Sequence, residues 1–227
     1  MRALTIFFLS LFSLPLVLNA QSVDEMLQKV SAAIESGQHG QAVSYFRQTI
    51  GLNIDRTEMF YWTSIDKSSE ISSKLAVELA SAYRRNRNYD KAYLFYKELL
   101  QKTPDNVDYL EACAEMQVCR GHEKEALRMY EKVLQLDTDN LAANIFLGNY
   151  YYLMAEKEKK RLDTDFKKLA SPTKMQYARY RDGLSKVFST DYQKARNSLR
   201  KVISQFPSTE AQKTLDKILR IEKEVNR

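Results

Sequence analysis

Lys91-Ala92-Tyr93-Leu94-Phe95-Tyr96 and Glu125-Ala126-Leu127-Arg128-Met129-Tyr130 follow one pattern, a small alanine four residues before a tyrosine. Ala92 and Ala126 stand 34 residues apart. The same offset relates the segments upstream. Leu79-Ala80 with Tyr83 answers Cys113-Ala114 with Gln117, and Leu147-Gly148 with Tyr151 follows at the same interval. Pro104, Thr138 and Pro172 close the successive stretches. Residues i and i+4 share one face of a helix, so each copy sets a small and a bulky side chain on the same face. Self-similarity at a period of roughly 20–50 residues is the mark of a stacked array.

Composition agrees with an all-helical chain. Six glycines and four prolines in 227 residues are too few for a many-stranded sandwich, which needs frequent tight turns. Apolar residues at 44% and charged residues at 28% describe a globular chain rather than a disordered one.

The residues just quoted resemble the tetratricopeptide repeat family, whose unit is two antiparallel helices of about 34 residues. The resemblance implies an all-α, right-handed α-α superhelix of about four helix pairs with a C-terminal capping helix. In that family the small residue on the first helix and the alanine on the second let the two helices approach, with residues such as Tyr83, Tyr151, Tyr96 and Tyr130 filling the space beside them. The units expected are 22–54, 73–106, 107–140, 141–172 and 174–207, with an insertion at 55–72 and a cap at 208–225. In the 141–172 unit the second helix is degenerate. Lys160 falls at the alanine place, and Phe166 and Leu169 are expected to supply the packing after a slip.

Working outward, Ser22 to Glu25 reads as a capping box opening a helix that Gly37 breaks, and Ala42 with Phe46 repeats the alanine-plus-aromatic spacing. Thr173 with Gln176, and Thr190 with Gln193, read as two further capping boxes. Ala195, Leu199 and the closing Pro207 follow. Ala211, Leu215, Ile218 and Leu219 give a last amphipathic helix suited to covering the end of an array. The insertion holds Met59, Phe60, Tyr61, Trp62 and Ile65. It reads either as a buried plug over the end of the first unit or as a ligand-gripping loop.

Residues 1–20 have the order of a secretory leader: Arg2, an apolar run from Ala3 to Leu18, and Ala20 before a cut. A retained anchor is the alternative, but the run is short for a span of roughly 20 residues and contains Pro15. The mature chain is expected to begin near Gln21 and to act in the periplasm or outside the cell. Cys113 and Cys119 lie six apart on one expected helix, pointing to different faces, so free, packed thiols are expected rather than a disulfide.

Catalysis finds no foothold in the residues. His39 and His122 fall in expected turns, and no zinc-protease, P-loop, nucleophile-elbow or paired-cysteine motif occurs. No catalytic residue, metal ligand or cofactor is assigned. Binding is better supported, since stacked helix pairs present a concave wall lined by their first helices. The resemblance places Val77, Ser81, Arg84, Glu111, Glu115, Val118, Ile145, Asn149 and Tyr152 on that wall, facing a peptide or protein partner. A subclass of the family clamps the terminal carboxylates of chaperones with basic and amide side chains. Val77, Glu111 and Ala112 stand where that clamp would be needed, which excludes it here. Of Tyr150-Tyr151-Tyr152, Tyr151 matches the structural place, leaving Tyr150 and Tyr152 as interface anchors or as packing against a neighbouring unit.

Charge is concentrated near the C-terminus. Lys174, Arg179, Arg181, Lys186, Lys194, Arg196, Arg200 and Lys201 face only Asp182 and Asp191 over the same stretch. An exported chain seldom meets nucleic acid. This basic face therefore suggests an anionic envelope surface, a lipid headgroup layer, acidic glycan or acidic protein, unless it is simply a solvated face. The ends of a solenoid also leave a route to self-association.

Overall fold

The computed structural model describes residues 22–225, so the expected leader lies outside the described residues. These residues form helices joined by short turns, with no strand among them. The described residues divide into two compact units, one ending at Asp66 and the other beginning at Lys67.

In the first unit, α1 (Val23–Glu35) and α2 (His39–Leu52) form a helix pair, and α3 (Ile54–Ser64) packs on both. Ser22 and Glu25 make the expected capping box. Ala42 and Phe46 are fully buried. The insertion up to Ser64 is therefore helix α3, and it divides its aromatic run. Tyr61 is fully buried and Ile65 nearly so, while Trp62 remains substantially exposed and hydrogen-bonds through Nε1 to Glu58. Tyr61 is the plug; Trp62 is not.

In the second unit, α4 (Glu70–Arg85) pairs with α5 (Tyr89–Lys102), and α6 (Val107–Cys119) with α7 (Glu123–Leu136). The turns inside these pairs share one backbone device. Arg87 and Gly121 have φ of 58° and 77°, and Gly37 in the first unit has 70°. In each, the two amides after the helix bond back to its last carbonyls, as in Gly121 N to Val118 O and His122 N to Gln117 O. This left-handed residue ends a helix while satisfying its terminal carbonyls. Leu79, Ala80, Tyr83, Cys113, Ala114, Gln117, Ala92, Tyr96, Ala126 and Tyr130 are all buried, as the repeat spacing requires.

The third pair departs from the expected units. Leu141–Lys167 is one continuous helix, α8, instead of a helix pair over 141–172. The place 34 residues after Gly121 is Ala155, which is fully buried and helical. With no left-handed residue there, the helix runs on for 27 residues, about 40 Å at 1.5 Å per residue. Its extension is supported by ion pairs at helical spacing, Lys159–Asp163 at 2.9 Å and Arg161–Glu158 at 2.6 Å.

The returning arm of this helical hairpin is likewise continuous. α9 (Lys174–Val187) passes through a π-helical turn, Phe188–Tyr192, into α10 (Gln193–Gln205). Thr173 and Gln176 form the expected capping box, but Thr190 and Gln193 do not, because they sit within helical backbone. α8 packs its first half on α10 and its extension on α9. Thus residues 174–207 are not a separate helix pair, and 141–205 is one elongated unit. Lys160 and Leu169 are exposed, whereas the expected Phe166 packs, stacking on Tyr180 at 4.4 Å. Helix α11 (Thr209–Val225) covers α10, with Ala211, Leu215 and Ile218 inward.

Both cysteines are free, but only Cys113 is packed; Cys119 is exposed. Burial pushes the Cys113 thiol up to about 12. A thiol reagent at neutral pH is therefore expected to modify one group in the native chain, at Cys119, and a second only after unfolding. Two rapid native modifications would contradict this packing.

Candidate functional site

The second unit holds a groove of about 540 Å³ between the ends of α4 and α6 and the first half of α8. Arg84 enters from α4, Glu111, Glu115 and Val118 from α6, and Ile145, Asn149, Tyr150 and Leu153 from α8. These α6 and α8 residues recur at helical spacing, so one side of each helix faces the groove. Glu123 and Tyr130 contribute from α7. Val118, Ile145 and Leu153 are exposed there, Leu153 to 65%.

Arg84 Nη2 lies 2.7 Å from Glu115 Oε2 across the α4–α6 gap. Both side chains are partly open to solvent, so the pair positions charge more than it stabilises, at roughly 0–1 kcal/mol. Asn140 donates to Glu111 Oε2 at 2.8 Å. Tyr130 closes the floor, with its ring 4.6 Å from that of Phe146. Burial, reinforced by the Glu115 and Glu111 carboxylates, pushes the Tyr130 phenol up to about 12. The groove thus combines an apolar floor with three glutamates and one arginine. It can clasp an extended or helical segment by apolar contact and charge. Nothing in it supplies a nucleophile beside a base.

The groove brings together Arg84, Glu111, Glu115, Val118, Ile145 and Asn149 of the expected wall. Val77 and Ser81 are half-buried farther back along α4 and do not line it. Tyr152 does not either. Its ring lies 6.2 Å from that of Tyr192, toward the π-helical turn. Successive helix positions differ by about 100°, which sends the three tyrosines apart. Tyr150 faces the groove and stacks on Phe146; Tyr151 bonds Glu131 of α7 and lies under the Lys194 ammonium. Of the pair left as interface anchors, Tyr150 is the one at the groove. Leu153, one turn beyond Asn149, was legible from the same spacing.

The eight cations between Lys174 and Lys201 do not form one free face. Arg196 pairs with Glu222 at 2.6 Å, and Lys201 with Asp139 at 2.5 Å. Arg181 donates to the Val225 carbonyl at 2.8 Å, and Lys194 to the Tyr151 hydroxyl at 3.3 Å. Lys174, Arg179, Lys186 and Arg200 are exposed. They are distributed along the length of α9 and α10.

Among the described residues no group of three or more His, Cys, Asp or Glu could hold a metal ion. No helix among them is long and apolar enough to cross a membrane. His122 bonds Gln117 through Nδ1 at 3.1 Å, within a turn.

Stacked helix pairs, buried small-residue crossings and a first-helix groove define an all-α helical-repeat protein. Two tetratricopeptide repeat family models match, one at residues 75–107 and a different one at 177–209, and the chain belongs to that family. The first match spans the regular α4–α5 pair; the second falls on the continuous α9–α10 rod. A solved protein of Bacteroides ovatus ATCC 8483, assigned provisionally to protein binding, is 84% identical. That similarity covers 90% of this chain and 100% of the other, with a TM-score of 0.81. A tetratricopeptide repeat protein of Parabacteroides merdae ATCC 43184 is 16% identical, over 89% of this chain and 74% of the other, with a TM-score of 0.39. No curated protein matches the chain.

Proposed function

We propose that this chain is a non-catalytic interaction scaffold that holds a peptide or protein segment in the α4–α6–α8 groove and works outside the cytoplasm. The observation that carries the reading is the groove itself, with Val118, Ile145 and Leu153 exposed on its floor beside the Arg84–Glu115 pair. Exposed apolar side chains in a concave, charge-rimmed site are what a partner segment can bury. The provisional assignment of the Bacteroides ovatus protein to protein binding supports the same reading, and the leader-like order of residues 1–20 supports export.

A membrane-surface or anionic-glycan module acting through the whole basic stretch 174–201 is less well supported, because half of its cations are engaged within the fold. The test is cross-linked capture from the native envelope fraction, comparing wild type with an Ile145→Asp, Leu153→Asp variant. Both positions are exposed, so circular dichroism should be unchanged. A defined protein partner captured by wild type is expected to fall at least tenfold in the variant, as burying two carboxylates without partners is strongly unfavourable. Equal capture by both would overturn the groove assignment.

A further inference from the structure

The end of the elongated hairpin carries chemistry that the groove does not use. From Phe166 to Arg181 the chain holds Lys167, Lys168, Lys174, Arg179 and Arg181, with no Asp or Glu. Lys168 pairs with Asp165 at 3.0 Å, and Arg181 is engaged with the Val225 carbonyl. Lys167, Lys174 and Arg179 are exposed. Among them the turn presents Leu169, Met175 and Tyr177, the last two exposed to 65% and 52%.

The hairpin behind this tip is firmly joined. Phe166 stacks on Tyr180, and the Tyr180 hydroxyl donates to Asp163 at 2.7 Å. Leu162 lies so close over Gly183 that a Cβ there would come within 3.1 Å of it. The apolar residues of the tip therefore sit on built structure.

We infer that this tip docks the protein on an anionic lipid bilayer, with Leu169, Met175 and Tyr177 entering the headgroup layer inside a collar formed by Lys167, Lys174 and Arg179. The geometry favours a bilayer over an acidic protein. A stable protein interface takes about 800 Å² and roughly 20–30 residues from each partner, whereas the tip offers three apolar side chains among three exposed cations, which a bilayer can take up singly. Tyrosine suits the membrane–water boundary. Lysine and arginine stems lie along apolar surface while their charged ends reach lipid phosphates. The tip is separate in sequence from the groove residues, so the inference does not rest on the groove.

The test is co-sedimentation of residues 21–227, since an apolar leader would itself bind lipid. Vesicles of phosphatidylcholine containing one-third phosphatidylglycerol are compared with pure phosphatidylcholine at low salt. At least tenfold stronger binding to the anionic vesicles is expected, with a tenfold loss in both a Leu169→Ser, Met175→Ser variant and a Lys167→Gln, Lys174→Gln, Arg179→Gln variant. The Ile145→Asp, Leu153→Asp groove variant should sediment like wild type. Met175→Trp, in a chain with Trp62→Phe, gives a second readout that keeps the tip apolar and its cations in place. Its emission should shift to the blue on anionic vesicles and be quenched by brominated lipid. Equal binding to both vesicles, unchanged binding by the tip variants, or an unmoved Met175→Trp emission would overturn the inference. Retention on immobilised polyglutamate with no vesicle binding would do so as well, reassigning the tip to an acidic macromolecule.

Discussion

Gly148→Val is expected to destabilise the second unit by about 2–3 kcal/mol, the upper part of the roughly 1–3 kcal/mol that forcing extra carbon into a close-packed site costs. A Cβ at Gly148 would stand 3.0 Å from Leu199 Cδ2 and Cγ, and 3.5 Å from the Leu199 backbone nitrogen. Leu199 is itself buried on α10, so neither partner has free space to move into. The gain in helix propensity on replacing glycine, at most about 1 kcal/mol, opposes the clash without cancelling it. The thermal midpoint should fall by about 5–10 °C for a unit of this size. Leu199→Ala alone should also destabilise, by about 2–5 kcal/mol. In combination the two should cost at least about 1 kcal/mol less than their sum, because the smaller side chain accepts the added methyls. An unchanged midpoint in Gly148→Val, or strict additivity, would contradict the close α8–α10 crossing that makes 141–205 one unit.

Tyr192→Ala should cost about 3–5 kcal/mol and Tyr192→Phe about 1–2 kcal/mol, separating the ring from its hydroxyl. Tyr192 ends the π-helical turn, is buried, and donates to Glu156 of α8. Burial, with the Glu156 hydrogen bond adding to it, raises its phenol above the ordinary tyrosine value. Tyr180 is pushed up to about 12 by burial and by its bond to Asp163. The linkage follows from the folded pKa lying above the unfolded one, near 10. Above that pH the unfolded chain releases a proton that the folded chain keeps, so stability falls as pH rises. Below about pH 10 both states hold the proton and the term vanishes. Urea midpoints measured from pH 8 to 11.5 should therefore be flat at first and then fall, and the fall should be shallower in Tyr192→Phe. A Tyr192→Phe curve parallel to wild type would show that the hydroxyl does not hold the hairpin.

The repeated places were legible in the sequence because helix crossings constrain residue size. Ala80, Ala92, Ala114, Ala126 and Ala195 all sit at buried contacts. The groove residues on α6 followed from the family resemblance, which the two regular pairs carry and whose phase they share. That phase did not extend to the far end of the wall. Tyr152 differs by a single helical step from Tyr151, yet it turns toward Tyr192 while Tyr150 takes the groove. The elongated hairpin was hidden for a different reason. A turn at position 155 would need left-handed backbone, but Arg87 shows that the residue there need not be glycine. Ala155 alone therefore did not announce that the turn was missing. Thr190 and Gln193 matched the capping-box spacing, but that spacing says nothing about whether the chain leaves the helix before it. The lysine and glutamate run after Ala155 was the available signal, since it offers helical ion pairs and no turn residue.

The most direct test of the binding assignment is site-specific photo-crosslinking in the native envelope. A benzoylphenylalanine placed at Ile145, on the groove floor, is compared with one at Leu94, an exposed position on α5 outside the groove. A single protein adduct from position 145, lost when Leu153→Asp is added and absent from position 94, is the expected result. Equal adducts from both positions, or a partner that co-purifies without ever crosslinking to position 145, would contradict it.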